Sequence, residues 1–220
     1  NSGYCTQPCR WSYRLVEEKR PGEYFPVMED QRGTYILNSK DLCLLEYLDR
    51  LTAIGIRSFK IEGRMKGALY LAGVTRSYRQ ALDRCVKSPG TFRVESAWLE
   101  DLHSLSHRPY TTGMLFQTGA LPDAKVEGRV AYVRSHTLAG IVRADPEGNF
   151  PGQALVQVRS RLTPDQRLEF MFPDGSSKFH TPGAFHDLVG NSIREAHPNG
   201  WIRFPVDFPV FPLQVLRTPQ

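Results

Sequence analysis

The chain has 220 residues, of which 40% are apolar and 23% are charged, and its formal net charge at pH 7 is +5. This composition is typical of a globular protein and excludes disordered and fibrous chains. No stretch approaches the roughly 18 consecutive apolar residues of a membrane span, so we expect no membrane partner. The length predicts one or two domains, and we expect the protein to be cytoplasmic. Because the sequence begins at Asn1 rather than at methionine, we expect it to be a piece of a longer protein.

The positive charge is concentrated in the first part of the chain. Residues 1–90 carry 15 Lys and Arg against 10 Asp and Glu, whereas residues 91–220 carry 13 of each. Prolines show the opposite bias, with 4 in the first part and 12 in the second. These two compositions predict two domains. The modest positive charge permits binding to a polyanion such as RNA, and a solvated basic surface explains it equally well.

The first predicted elements are two short strands. Tyr24–Met28 and Thr34–Leu37 are the alternating segments, and Glu29–Gly33 between them ends in glycine. Alternating segments on either side of a short glycine-containing loop predict a β-hairpin.

A helix, a strand and a second helix are predicted between residues 39 and 86. Asn38 or Ser39 can cap the first helix, and Gly55 ends it. The apolar stripes of the two helices consist of Leu42, Leu45, Leu48 and Leu51, and of Leu71, Val74, Tyr78, Leu82 and Cys85. Residues 56–61 alternate and predict a strand that ends at Glu62. This order is typical of an α/β protein with parallel strands, and it predicts the last unit of a larger α/β domain.

The remainder of the chain is predicted to be a short helix at residues 93–105, a loop at 107–119 and a β-domain. Short strands separated by Gly/Pro turns predict a small antiparallel β-barrel. Its predicted strands are Val126–Arg134, Leu138–Val142, Ala154–Val158, Leu168–Met171, Ser192–Glu195, Trp201–Phe204 and Leu213–Leu216. We therefore predict an α/β part at residues 1–90, a connection at 91–122 and the β-domain at 123–220.

The four cysteines fall into two groups. Cys85 lies on the apolar stripe of a predicted helix, and we interpret it as a buried core thiol. Cys5 and Cys9 lie in a polar segment, and Cys43 is predicted in the first turn of a helix, where the dipole favours the metal-binding thiolate. Three such cysteines in a cytosolic protein favour a metal or iron–sulfur site over a disulfide. The Cys-x3-Cys spacing matches neither zinc nor ferredoxin patterns, so ordinary thiols remain an alternative.

A charged cluster follows the predicted strand. Lys60 and Glu62 would share one face of that strand, because side chains alternate across it. A carboxylate among the cations Lys60, Arg64 and Lys66 would stay ionised and could orient a polar substrate. Arg64 suits recognition of phosphate or carboxylate groups. A structural salt-bridge cluster explains the same residues, and the pattern leaves both interpretations open.

Two further patterns are less specific. Residues 9–14 interleave aromatic and basic side chains, which can hold a nucleotide or form the rim of a packed loop. His103 and His107 lie four residues apart, and His180 and His186 are predicted in a loop. Since no histidine is paired with a recognisable nucleophile, we interpret them as structural or surface residues.

Three segments of the chain resemble the peptidase U32 family in order and spacing. They are Gly3–Trp11, Asn38–Cys43 and Lys60–Lys66. The resemblance is specific over residues 3–86 and is strongest to the tRNA-hydroxylation branch. Over residues 107–220 the chain is more loosely similar to the C-terminal β-domain of the family.

The resemblance implies a TIM-like barrel, whose C-terminal portion is residues 1–90, followed by the small β-barrel. It also implies an enzyme, and hydroxylation of the wobble uridine of tRNA is the first expected activity. A collagenase-like peptidase acting on a peptide substrate is the alternative. A third possibility is a non-catalytic fragment whose β-domain binds RNA or protein.

The resemblance further implies a 4Fe–4S cluster in the full-length protein. By position, Cys5 and Cys43 match two of its ligands, and Cys9 matches a ligand of a variant arrangement. The other ligands would lie before Asn1, so we expect the 220-residue piece alone to be inactive with an incomplete cluster. The resemblance assigns no catalytic residues. We predict Lys60, Glu62 and Arg64 for that role from their position at a strand end.

Overall fold

The computed structural model describes residues 28–30, 33–35, 40–88, 90–113, 115, 133–145 and 152–220. These residues belong to two compact units. The first unit comprises the described parts of 1–44 and 107–133, and the second comprises those of 45–106 and 134–220. The domain boundaries predicted after residues 90 and 122 stay predictions.

The described part of the first unit consists of short strands. They are β1 (Met28–Asp30), β2 (Gly33–Tyr35), β3 (Asp41–Leu42) and β4 (Tyr110–Thr111). Strands β1 and β2 pair antiparallel with Asp30 opposite Gly33, which confirms the hairpin. The remaining residues of the two predicted strands, 24–27 and 36–37, lie outside the described residues. Strands β3 and β4 pair in parallel. Within the described part of the chain, this two-residue ladder is the only parallel pairing of strands. The TIM-like barrel therefore stays a prediction.

The helix predicted to begin after Asn38 or Ser39 is wrong at its start. Asp41 lies in β3, and its carboxylate accepts hydrogen bonds from the Arg108 backbone N–H at 3.0 Å and from Arg108 Nη2 at 2.7 Å. This carboxylate therefore pairs with a guanidinium beside a strand and does not lie in the first turn of a helix. Asn38 and Ser39 themselves lie outside the described residues.

The helices of the second unit follow the predicted order. A 3-10 turn at Leu45–Tyr47 leads into α1 (Leu48–Ala53), followed by α2 (Ala68–Lys87) and α3 (Ser96–Ser104). Leu45, Leu48 and Leu51 are buried as the leucine stripe predicted, whereas Leu42 is exposed. Gly55 ends α1 with a φ of 93°, a left-handed conformation that favours glycine.

The buried face of α2 is rotated from the predicted stripe. Leu71 is 45% exposed, while Gly73 and the charged Arg76 are buried. A Cβ atom at Gly73 would lie 2.9 Å from the side chain of Leu105, so this glycine allows close packing of α2 against the end of α3. Cys85 is buried as predicted, and burial followed by the charge of Asp49 raises the pKa of its thiol.

The strand predicted at residues 56–61 is wrong. The segment has no regular secondary structure, and Arg57, Ser58 and Lys60 are all exposed. A strand requires a hydrogen-bonded neighbour, and this segment pairs with no strand among the described residues. The alternation of apolar and polar residues in this segment was therefore not sufficient to predict a strand.

An eight-stranded antiparallel sheet forms most of the second unit. Its strands are β5 (His136–Val142), β6 (Gln153–Val158), β7 (Leu168–Met171), β8 (Ser177–His180), β9 (Phe185–His186), β10 (Ser192–Ile193), β11 (Trp201–Pro205) and β12 (Val215–Pro219). The strand order is β10-β9-β11-β6-β5-β12-β7-β8. The sheet is open, because β8 and β10 are edge strands without a mutual ladder in the described chain. The predicted closed barrel is therefore wrong.

The sheet packs around an aromatic and aliphatic core. The largest buried members include Phe170, Phe185, Phe204, Ile202 and Leu216. The Phe170 ring meets Phe208 edge to face, with centroids 5.1 Å apart. Within the described residues, no helix combines the length and apolar character that crossing a bilayer requires.

Candidate functional site

The charged cluster lies in the irregular segment between α1 and α2. Lys66 N donates to Gly63 O at 2.9 Å and closes a turn just before α2. A Cβ atom at Gly63 would lie 2.6 Å from Leu71 Cδ2. Packing against the first turns of α2 therefore accounts for this glycine.

Lys60 and Glu62 form an exposed ion pair. Lys60 Nζ lies 3.5 Å from Glu62 Oε2, and the two side chains are 87% and 69% exposed. The structure therefore brings these residues together without the predicted strand. Exposed ion pairs contribute little to stability because water screens them. The Glu62 carboxylate is accessible to a ligand, and the nearby Arg64 is also exposed.

Lys66 is anchored more firmly than its charged neighbours. Its Nζ donates a hydrogen bond to Ser106 O at 2.7 Å and lies 4.9 Å from the centroid of the Tyr70 ring. The turn is thus tied to the end of α3 and to the first turn of α2. Lys66 is a structural anchor, while Lys60, Glu62 and Arg64 remain the predicted catalytic residues.

Cys43 lies in the first unit. It follows β3 directly, and its backbone N–H donates to Thr111 O at 2.9 Å. The prediction that Cys43 lies in the first turn of a helix is therefore wrong. The thiol is partly exposed, and thiolates are the ligands of iron–sulfur clusters. A partly exposed cysteine whose backbone N–H is hydrogen-bonded could serve as one ligand of such a cluster.

The remaining predicted ligands cannot be placed beside Cys43. Cys5 and Cys9 lie outside the described residues, as does the aromatic and basic segment that follows Cys9. Within the residues that are described, no group of three or more His, Cys, Asp or Glu side chains could hold a metal ion.

The histidines have structural surroundings. His107 is buried and stacks on Tyr110 with ring centroids 4.3 Å apart, and its Nδ1–H donates to Arg108 O at 2.8 Å. His180 and His186 lie in β8 and β9 rather than in the predicted loop. His180 stacks on the core residue Phe204, with centroids 5.9 Å apart.

Sequence reasoning missed a buried ionic network in the second unit. It links Arg76 of α2, Asp101 of α3, Glu169 of β7 and Arg217 of β12, each at most 9% exposed. Arg76 Nε donates to Asp101 Oδ2 at 2.9 Å, and Arg217 Nη2 donates to Asp101 Oδ1 at 3.0 Å. Arg217 also donates to both carboxylate oxygens of Glu169, at 2.8 and 2.7 Å. The network joins the two long helices to the sheet.

The electrostatics of this network favour its ionised form. Burial alone would raise the pKa of Glu169, but hydrogen bonds from Arg217 and Ser177 and the charge of Arg217 lower that pKa below its usual 4.5. Burial and the charge of Arg217 lower the pKa of the adjacent His136. Since each charge in the network faces an opposite charge, we interpret it as structural. The one sequence feature that could have indicated this network was Glu169, a carboxylate within a predicted strand of otherwise apolar residues.

Comparison with protein families establishes the relationship of this chain. The model described as Peptidase family U32 matches residues 1–123, and the model of the Peptidase family U32 C-terminal domain matches residues 134–217. The chain belongs to peptidase family U32. This result confirms the resemblance inferred from the three sequence segments.

The U32 relatives have two kinds of names. The tRNA hydroxylation protein P of Escherichia coli (strain K12) is 29% identical over an alignment 249 positions long, which covers 94% of this chain and 53% of that protein. A collagenase of Porphyromonas gingivalis is 33% identical over 115 residues, which cover 51% of this chain and 26% of that protein. The chain thus spans about half the length, or less, of these curated relatives.

A solved structure also shows similarity to part of this chain. It is the C-terminal domain of the Geobacillus thermoleovorans protein described as a U32 peptidase. Sequence identity is 32%, and the match covers 38% of this chain and 92% of that one, with a TM-score of 0.34.

Proposed function

We propose that the full-length U32 protein containing this chain is a tRNA-hydroxylating enzyme that acts on the wobble uridine. The extent of the sequence matches carries this proposal. The match to the tRNA hydroxylation protein covers 94% of the chain, whereas the match to the collagenase covers 51%. Likeness to a tRNA hydroxylation protein therefore extends well beyond the part of the chain that resembles a collagenase.

Deleting the full-length gene in its host tests this function. Total tRNA from the deletion strain should lose a uridine nucleoside that carries one additional oxygen atom, as detected by mass spectrometry. A plasmid with the full-length gene should restore that nucleoside, and the empty plasmid should not. An unchanged set of nucleosides in the deletion strain would reject the proposal.

Peptide cleavage is the second candidate function. The collagenase is 33% identical over the part that it matches, against 29% for the tRNA hydroxylation protein of Escherichia coli over its longer match. The same purified full-length protein, freed of contaminating metalloproteases, would then cleave gelatin. Cleavage that persists through purification and is lost in the Glu62→Gln variant would favour this second function.

The proposal includes a 4Fe–4S cluster for which Cys43 supplies one thiolate and Cys5 a second. When bound, such a cluster supplies electron transfer. Cys43 contributes a backbone fixed by the hydrogen bond to Thr111 and a partly exposed sulfur. Cys9 is a further candidate ligand. Lys60, Glu62 and Arg64 would bind and orient the polar substrate, with the Glu62 carboxylate held beside the Lys60 ammonium at 3.5 Å.

Cys43→Ala in the full-length protein is expected to remove the cluster. Protein purified without oxygen should be brown, and this variant should lose the colour together with iron and acid-labile sulfide, since each ligand is a direct bond to the cluster. Cys85→Ala is the matched control, because Cys85 is buried in α2. If the Cys43 variant retains as much iron as the Cys85 variant, Cys43 is not a ligand.

Glu62→Gln is expected to separate activity from stability. The substitution removes the charge that orients a substrate, so the modified nucleoside should be lost when this variant replaces the parent in the deletion strain. The midpoint of thermal unfolding should change by no more than about 2 °C, because the Lys60–Glu62 pair is exposed. Glu46→Gln, at an exposed position in the 3-10 turn, is the control and should retain activity. Full activity of Glu62→Gln would contradict the predicted role.

A further inference from the structure

The outer face of the sheet presents two arginines and a tryptophan beside one another. Gln157 of β6 lies directly opposite Trp201 of β11, so both side chains are on the same face. The neighbours of Gln157 in β6, Val156 and Val158, point to the opposite face and are fully buried in the core. Trp201 is 39% exposed. The face therefore carries a large aromatic side chain that the core does not cover.

Two guanidinium groups meet at one neutral oxygen on this face. Arg143 donates to Gln157 Oε1 from Nε at 3.1 Å and from Nη2 at 2.7 Å. Arg159 Nη2 donates to the same oxygen at 3.1 Å. Arg159 Nη1 lies 3.4 Å from Asn199 Oδ1 at the neighbouring turn. We call Arg143, Gln157, Arg159 and Trp201 the paired-arginine surface.

The charge of this surface is not neutralised within the described chain. In those residues, neither Arg143 nor Arg159 has a carboxylate within ion-pairing distance, whereas Arg161, Arg203 and Arg217 each pair with at least one. Two like charges held at one amide oxygen repel each other, and that oxygen carries no net charge to offset them. Each guanidinium has five N–H donors, so both retain donors for a further acceptor. An anion with several oxygens would relieve the repulsion.

We propose that the paired-arginine surface binds the tRNA backbone outside the catalytic centre, with an unstacked base against Trp201. This inference rests on the proposed tRNA substrate. Guanidinium groups match the geometry of phosphate oxygens, and bases stack on exposed aromatic rings beside them. An acidic peptide would satisfy the two charges but would leave the flat indole without a stacking partner. A nucleic-acid strand satisfies both features.

Direct binding of fluorescent host tRNA to the full-length protein tests the surface. The double variant Arg143→Gln/Arg159→Gln should weaken binding about tenfold at moderate salt. Because two phosphate contacts are lost, the plot of log affinity against log salt should become less steep, with a slope smaller in magnitude by about 1.5. Trp201→Ala should weaken binding by about tenfold, while Trp201→Phe should retain most of it, since stacking needs only an aromatic ring.

The matched control removes two charges at a different place. Arg79 and Arg84 are exposed on α2 and pair with Asp83 and Glu95. Arg79→Gln/Arg84→Gln should leave tRNA affinity within about twofold of the parent, since these charges are already neutralised. Equal binding by the parent and the Arg143/Arg159 variant would reject the role of the paired-arginine surface and leave the proposed function standing. Displacement of tRNA by polyglutamate as readily as by unlabelled single-stranded RNA would also overturn it. A parent protein that binds no tRNA would count against the proposed function as well.

Discussion

Arg217→Ala is expected to lower the free energy of unfolding by about 3–5 kcal/mol, the usual cost of leaving buried charges without their partner. Arg217 contacts both Asp101 and Glu169, and its Nη1 donates to Ser104 Oγ at 2.8 Å. Its removal leaves Glu169, which is 3% exposed, without the guanidinium that lowers its pKa. Chemical denaturation at neutral pH, followed by circular dichroism, measures the change.

Arg84→Ala is the control for this prediction. Arg84 pairs with Glu95 at 2.5 Å, but both side chains are about half exposed. Its removal should cost at most about 1 kcal/mol because water can solvate the remaining carboxylate. A loss for Arg217→Ala that is no larger than the loss for Arg84→Ala would show that water already reaches the network.

Phe170→Ala is expected to destabilise the sheet domain by about 3–5 kcal/mol through lost burial and the cavity that remains. Phe170 is fully buried and meets both Phe204 and Phe208 edge to face, with centroids 6.3 and 5.1 Å away. Aromatic contacts of this kind add to the free energy of burial. The same denaturation measurement applies.

The neighbouring strand supplies a matched variant, Phe179→Ala. Phe179 lies opposite Glu169 on the edge strand β8, is 50% exposed and has Arg167 over its ring at 3.9 Å. Its removal creates no enclosed cavity, so the loss should be about 1 kcal/mol. Comparable losses for the two phenylalanines would mean that β7 is not at the centre of the core.

The elements that the sequence predicted well are those whose apolar pattern is local. Residues 168–171 form β7 with the predicted bounds, and α2 contains every residue of its predicted stripe. Local periodicity was sufficient to place these two elements, although it did not give the buried face of α2, where Leu71 is exposed. Strand β8 was missed because two of its four residues are exposed, a pattern common in edge strands.

The features that the sequence did not predict depend on distant partners. Arg217 and Asp101 are 116 residues apart in the chain, so no local pattern could indicate that their charges meet inside the protein. Arg76 is on the buried face of α2 for the same reason, although a charged residue normally faces water. Arg143 and Arg159 likewise converge only after β5 and β6 pair.

The candidate site shows the same division. Cys43 and the segment around Glu62 were selected by their resemblance to a family, and the family membership is confirmed. Their local structures were predicted incorrectly, because the ladder of β3 with β4 and the packing of the turn on Leu71 involve residues outside each motif. Residue identity was therefore easier to predict than backbone conformation.

The ionic network has a consequence for dividing this protein into pieces. The C-terminal family model begins at residue 134, yet Asp101 and Ser104, which bind Arg217, lie upstream of that position. A polypeptide cut there would expose the Glu169–Arg217 pair along one side of its sheet. A cut before α3, near residue 90, would keep Asp101 in the same piece as the sheet. Of the four charged residues of the network, that piece would lack only Arg76. A piece that is meant to keep this network should therefore include α3 together with the sheet.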